Sequence, residues 1–246
     1  MKQPAIVLQD VTVVYDGKPA LRNTSVTIPH HSFTGVIGMN GAGKSTLFKT
    51  IMGLVKPQSG RVTVCGDDVQ TAQKHGHVAY VPQNETVDWD FPISVEEVVM
   101  MGRMGTQNIF NTPTRTDNEQ VTKALDQVGM TDFSARQIGD LSGGQKKRVF
   151  IARALAQGAD ILLLDEPFAG LDATSERLIT ALLMSLKDQE KTIILATHDL
   201  LSLPDTCDQV VLVKYTVVAY GPTKEVFTKK LVSQTFDGVL HHITFK

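Results

Sequence analysis

A glycine-rich segment, Gly38-Met39-Asn40-Gly41-Ala42-Gly43-Lys44-Ser45-Thr46, constrains this chain more than any other stretch. It follows the apolar run Phe33–Ile37, which reads as a short strand, and opens a run from Thr46 to Leu54 that reads as helix. A strand, a Gly-x-x-x-x-Gly-Lys-Ser loop and a helix, in that order, build a phosphate cradle. Glycines let backbone N–H groups wrap phosphate oxygens without Cβ clashes, and the helix N-terminus adds the positive end of its dipole. In such a cradle Lys44 bridges the β- and γ-phosphates of a nucleoside triphosphate, and the Ser45 hydroxyl ligates Mg2+.

Carboxylates elsewhere in the chain fit the same site. Four apolar residues, Ile161 to Leu164, lead into Asp165-Glu166. Asp165 therefore emerges at the C-terminal end of a buried strand, where open α/β sheets place their ligands. There it is suited to hold Mg2+ through water. Glu166 comes next and is expected to point at the γ-phosphate, where a carboxylate orients and polarises an attacking water. A second apolar run, Thr192 to Thr197, delivers His198 to the same edge, in reach of the γ-phosphate. Gln83 follows Pro82 at the end of the strand His77–Val81 and is placed to reach Mg2+ or the attacking water.

A second glycine cluster, Leu141-Ser142-Gly143-Gly144-Gln145, precedes a helix read from Gln145 to Gln157 and closed by Gly158. One nucleotide needs only one cradle for its phosphates. With a single such lysine in the chain, the second cluster is expected to serve a nucleotide held by another copy.

The remaining sequence reads as one domain, 1–246, with an antiparallel start. Ile6, Leu8, Val11 and Val13 interleave with polar residues, Asp16-Gly17 forms a turn, and a second strand runs from about Leu21 to Ile28. Arg61–Cys65 returns to strand before the turn Gly66-Asp67. Residues 84–157, polar and helically spaced, read as a helical subdomain inserted into the sheet domain, with Ser94 and Glu97 as a capping box. Hydrophobic residues make up 42% of the chain, enough for a sizeable core. The net charge of -2 gives no pull toward nucleic acid, and none is expected as a partner. Nothing near Met1 resembles a signal peptide and no stretch approaches a membrane span, so a soluble protein is expected, with Cys65 and Cys207 as reduced thiols. The pairs His30/His31, His75/His77 and His241/His242 have no Cys or carboxylate at metal-ligand spacing nearby, and loop or strand-start positions account for them.

Taken together, these motifs resemble the ATP-binding subunit of an ABC transporter over almost the whole chain. Leu141–Gln145 is similar to the signature sequence of that family, and the other motifs stand in the expected order. The resemblance implies that Tyr15 stacks on adenine, that Gln83 is the Q-loop, Asp165-Glu166 the Walker B pair, Ala169–Asp172 the D-loop and His198 the switch histidine. It implies a P-loop ATPase fold with a mainly parallel core sheet, using ATP and Mg2+. It also implies a head-to-tail homodimer in which Ser142, Gly143, Gly144 and Gln145 contact the partner's ATP.

The segment from Asn84 to Arg103, with Trp89 and Phe91, and the run Glu166–Asp172 look like those of bacterial manganese, zinc or iron importers. This implies permease subunits contacted near Gln83–Arg103, an extracytoplasmic metal-binding protein, and a peripheral place on the cytoplasmic face of the membrane. Trp89 reads equally well as packing within the helical subdomain. The alternative is the ATPase of another system of the same family, an exporter or an importer of a different substrate, or a soluble member outside transport. Two departures stand out: Lys214-Tyr215-Thr216 replaces an Asn-Arg-type turn, read as remote from the nucleotide, and Lys146-Lys147-Arg148 is unusually basic.

Overall fold

The computed structural model describes residues 3–83, 85, 89, 91–106, 112–200 and 203–238. Among them the strands, in chain order, are β1 (Ile6–Tyr15), β2 (Lys18–Ile28), β3 (Phe33–Ile37), β4 (Ser59–Val64), β5 (Asp67–Asp68), β6 (Val78–Val81), β7 (Ile161–Asp165), β8 (Thr192–Thr197), β9 (Gln209–Val213) and β10 (Val217–Pro222). The helices are α1 (Lys44–Ile51), α2 (Val69–Lys74), α3 (Val95–Met100), α4 (Arg115–Gln127), α5 (Gly143–Ala156), α6 (Ala173–Asp188), α7 (Leu203–Thr206), α8 (Thr223–Val226) and α9 (Lys229–Thr235).

Two sheets form the frame. The first is antiparallel, in the order β2-β1-β4-β5. The second runs β10-β9-β3-β8-β7-β6 and is parallel except for β10. The parallel strands are apolar on both faces because both are covered. Leu162, Leu164, Ile193 and Leu195 join the core shared with α4, α5 and α6. Ile161, Leu163, Ile194 and Ala196 join the core shared with α1 and the antiparallel sheet.

The buried parity of β1 changes midway, from Ile6 and Leu8 to Val11 and Val13. One extra residue absorbs the change: Leu8 pairs with Val26 but Val11 with Thr24, and Asp10 adopts φ 52°. The bulge keeps the apolar residues of one strand on one face. At the hairpin, Asp16 and Gly17 both have positive φ, as a two-residue Asp-Gly turn requires. β2 consequently begins at Lys18, three residues before the expected Leu21.

The expected capping box on α3 is present, with the Ser94 hydroxyl accepting from Glu97 N–H and the Glu97 carboxylate accepting from Ser94 N–H. α5 starts at Gly143, two residues earlier than expected, because Ser142 and Gln145 form a second capping box. The spacing Ser-x-x-Gln carried that signal in the sequence. α3, α4 and α5 lie between β6 and β7 in the chain and share one apolar core with Met130, Ile138 and Leu141.

Candidate functional site

The strand order brings the sequence motifs to one edge. β3 lies beside β8, and β8 beside β7, all parallel, so their C-terminal ends fall together. Ile37 pairs with Thr197, and Ala196 with Asp165. The glycine loop, His198 and Asp165-Glu166 therefore leave the sheet side by side, over the crevice where such folds bind ligands. A cleft of about 300 Å³ opens there, lined by Ala20, Asn40, Gly41, Gly43, Lys44, Ser45, Thr46, Gln83 and Glu166.

The loop is shaped for anions. Gly43 precedes α1 with φ 105°, and a Cβ there would stand 2.7 Å from the Ala20 carbonyl oxygen, so only glycine fits. No side chain caps α1 and its first turn carries no acidic residue, which leaves its N–H groups and dipole for a ligand. Lys44 is buried against that loop. Its Nζ donates to the carbonyls of Gly38 at 2.8 Å and Met39 at 3.3 Å, and lies 3.5 Å from Glu166 Oε1.

Glu166 is buried and held at φ 48°, a left-handed conformation that costs a non-glycine residue about 1–2 kcal/mol. The bend turns its carboxylate off the strand axis while its N–H still donates to Ala196 O at 2.9 Å. Oε2 meets His198 Nδ1 at 2.7 Å, so Lys44, Glu166 and His198 form a continuous polar chain. Such a carboxylate sits between an ammonium group and an imidazole.

Asp165 is also buried. Its Oδ2 accepts from the Tyr80 hydroxyl at 3.2 Å, whereas Oδ1 is buried with no hydrogen-bond partner among the described residues. A carboxylate oxygen left so is costly unless a cation or its waters complete it, and Ser45 and Gln83 line the cleft together with Glu166, the neighbour of Asp165 in the chain. These donors are all hard oxygens, the set that suits Mg2+. Burial first, then the charge of Asp165 and the shared hydrogen bond, push the Tyr80 hydroxyl well above its ordinary pKa, so it remains a donor. Sequence reasoning passed over Tyr80, which reads there as one more strand aromatic. Tyr80→Phe should raise the Mg2+ concentration needed for half-maximal ATP hydrolysis by about tenfold or more, because groups that orient a metal's ligands typically contribute that much. A magnesium titration of turnover checks this, with nucleotide affinity expected to be unchanged.

Lys147 was also missed. From α5 its Nζ donates to the carbonyls of Pro82 at 3.1 Å and Gln83 at 3.3 Å, which ties the helix to the strand end carrying Gln83. Burial lowers the pKa of Lys147, with Glu85 and Asp165 opposing. The basic run after the second glycine cluster thus has one structural use.

The turn Lys214–Thr216 corrects an expectation. It is not remote from the glycine loop: Tyr215 N–H donates to Ala42 O at 2.8 Å, and a Cβ on Gly38 would meet Val213 O at 2.2 Å. The end of β9 and this turn therefore buttress the loop from behind. β9 itself had no clear sequence signal apart from its apolar run.

The second glycine cluster does not line this cleft. Ser142 and Gly143 are exposed at the N-terminus of α5, while Gly144 is buried. A Cβ on Gly144 would stand 2.3 Å from Ser175 Oγ, so this helix packs closely on α6. Ser175 in turn donates to Asp172, which caps α6 by accepting from the N–H groups of Thr174 and Ser175. Ser142 N–H is taken by Gln145 Oε1 at 2.9 Å. That narrows the expected use of the cluster: Gln145 and the Ser142 N–H serve the cap, and Gly143 offers the open backbone.

Tyr15 is exposed at the end of β1 and is not among the residues lining the cleft, whereas Ala20 of the same hairpin is. Trp89 packs edge-on to Phe150 with Lys146 over its ring at 4.3 Å, yet remains 37% exposed beside exposed Phe91. Both of its expected uses, packing and surface, are therefore open to it. The segment residues Asn84, Thr86, Val87, Asp88 and Asp90 lie outside the described residues, as do His241 and His242. Cys207 is buried and Cys65 half-buried, both free, and burial pushes the Cys207 thiol up to about 12.

Comparison with known proteins gives the same answer by another route. The ABC transporter family model matches residues 21–169. The chain is 50% identical to a chelated iron transport system membrane protein of Yersinia pestis, over 98% of this chain and 82% of the relative. It is 48% identical to a manganese transport system ATP-binding protein of Synechocystis, over 95% of this chain and 90% of the relative. It is 42% identical to a zinc transport system ATP-binding protein of Treponema pallidum, over 98% and 90%. Among solved structures, an ABC transporter in an inward-facing conformation superimposes with a TM-score of 0.84 at 27% identity, covering 96% of this chain and 90% of that one. With the cradle, the buried carboxylates and the second glycine cluster all in place, this chain belongs to the ABC transporter family, as one of its ATP-hydrolysing, nucleotide-binding subunits.

Proposed function

We propose that this chain, paired with a second copy, hydrolyses ATP to drive import of manganese, zinc or iron through a membrane permease. The observation that carries the reading is the convergence of Lys44, Asp165, Glu166 and His198 at one sheet edge, in a chain 42–50% identical to subunits named for those three metals.

In this reading Gly38, Asn40, Gly41, Ala42, Gly43 and Thr46 cradle the phosphates, and Tyr15, exposed at the end of β1, stacks on the adenine. Lys44 exchanges the carbonyls of Gly38 and Met39 for the β- and γ-phosphates. Ser45, Gln83 and Asp165 would hold Mg2+, which when bound neutralises charge on the transferred phosphoryl group. Glu166, released from Lys44, takes the proton of the attacking water, with Gln83 beside it. His198 fixes the Glu166 carboxylate and contacts the γ-phosphate.

Geometry and symmetry support the second copy. Ser142 and Gly143 stand exposed at a helix N-terminus, apart from this chain's own cleft. A two-fold, head-to-tail pair would set each such terminus over the partner's γ-phosphate and complete both sites at once. Because Ser175 joins Gly144 to Asp172, the cluster and the D-loop Ala169–Asp172 would move together.

No helix among the described residues is long and apolar enough to cross a membrane, and in this reading permease subunits supply the transport path. Exposed Trp89 and Phe91, which precede α3, and Met101, which follows it, are the residues we assign to that contact, in the stretch between β6 and β7 that we read as a subdomain. The chain would then sit peripherally on the cytoplasmic face, served from the other side by an extracytoplasmic metal-binding protein. Cells whose only copy carries Lys44→Ala should lose uptake of one of manganese, zinc or iron, measured as accumulated metal. Unchanged uptake of all three would refute the assignment of cargo.

A further inference from the structure

A second polar cluster lies at the opposite end of the parallel sheet. His77 directly precedes β6, whose far end leads to Gln83 in the nucleotide cleft. His75 closes α2, and Asp67 opens β5. The sequence reading found no carboxylate at ligand spacing from these histidines, because Asp67 is brought to them by the fold of the intervening helix α2. In the structure Asp67 Oδ2 lies 3.2 Å from His75 Nδ1 and 3.9 Å from His77 Nε2, and one ligand atom from each residue falls within 4.8 Å of the other two. Ligand atoms held at roughly 2.0–2.2 Å around a tetrahedral ion stand about 3.4 Å apart. The observed separations straddle that value.

Two tight turns fix the three residues before any ligand arrives. Cys65 and Gly66, at φ 50° and 84°, make the two-residue turn that pairs Val64 with Asp67. Gly76, at φ 70°, ends α2: its N–H donates to Gln73 O at 3.0 Å and His77 N–H donates to Ala72 O at 3.1 Å. Those two bonds are a Schellman motif, with His75 and His77 on either side of the glycine. Asp68 caps the start of α2 by accepting from Gln70 and Thr71, which joins the two turns through one short helix. The three side chains are partly exposed, so a solute ion can reach them.

We propose that Asp67, His75 and His77 form a binding site for a divalent transition-metal ion. Two imidazoles and one carboxylate with open positions left to water suit zinc or iron(II), and hold manganese(II) more weakly. Magnesium and calcium prefer all-oxygen sets and are excluded by the imidazoles. None of these residues belongs to the nucleotide cleft, so the site stands or falls independently of the transport reading.

Zinc titrated calorimetrically into the full-length, chelator-stripped, nucleotide-free chain tests this. His75→Ala/His77→Ala should lose one zinc equivalent that the parent binds, or weaken it by more than about tenfold. Asp67→Asn, which keeps the side chain's size and its hydrogen bond to His75, should weaken the same equivalent. Unchanged ATP affinity in each variant confirms that it is folded. Cobalt(II) should give the parent a visible absorption band that both variants lack. Equal zinc binding by the parent and either variant, or no zinc bound by the parent, would overturn the proposal.

Discussion

Glu166→Gln lowers the rate of ATP turnover by about 10²–10⁴-fold and leaves ATP binding intact, the loss expected when a positioned general base is removed. That factor corresponds to about 3–5 kcal/mol of transition-state stabilisation. The geometry argues for a loss in rate rather than in folding or affinity. Glutamine matches glutamate in size and keeps a hydrogen-bonding contact with His198 Nδ1, now 2.7 Å from Oε2. It inherits the same left-handed backbone at φ 48° without added strain. What it cannot do is accept a proton from water. It also no longer attracts Lys44 across 3.5 Å, so the lysine is freer to meet phosphates and nucleotide affinity should hold or rise. Single-turnover hydrolysis alongside nucleotide binding on the same preparation separates these effects. Unchanged turnover would remove Glu166 from its assigned role.

Ser142→Arg is the second large effect: turnover falls by at least tenfold while ATP still binds at Lys44. An arginine at this exposed helix start fills the space above Gly143, where the partner's γ-phosphate would sit. It also removes the N-cap of α5, which costs about 1 kcal/mol of stability and should appear as a modest drop in melting temperature. A folded, nucleotide-binding chain with little turnover is therefore the expected outcome. Turnover equal to that of the parent would mean the second glycine cluster is not used for hydrolysis.

The parts of the site that were legible in sequence are those fixed by local chain chemistry. A strand feeding glycines, lysine and a helix could fold in few other ways, and the apolar runs ending in Asp165 and Thr197 announced their own edge. The capping box at Ser94 needed only a spacing of three, whereas the same spacing at Ser142 was passed over. What stayed hidden depended on contacts distant in the chain. Tyr80 reaches Asp165, Lys147 reaches the Gln83 carbonyl, and Tyr215 reaches Ala42, each across a separation no periodicity encodes. Asp67 meets His75 and His77 through the short helix α2 and the turns at its ends, a closure that residue spacing alone did not reveal. The bulge at Asp10 lies between these cases, since the shift in apolar parity from Leu8 to Val11 was visible but its cause was not.

The central claim is that each ATP is hydrolysed between two copies of this chain. Mixing Lys44→Ala chains with Ser142→Arg chains tests it most directly, because each supplies what the other lacks. A mixed pair has one site with a sound Lys44 and a sound Ser142, while the other site carries both lesions. Turnover in an equimolar mixture should rise to as much as roughly a quarter of the parent rate, since half the pairs are mixed and each holds one intact site of two. A mixture that hydrolyses ATP no faster than the average of the two variants alone would contradict a shared site.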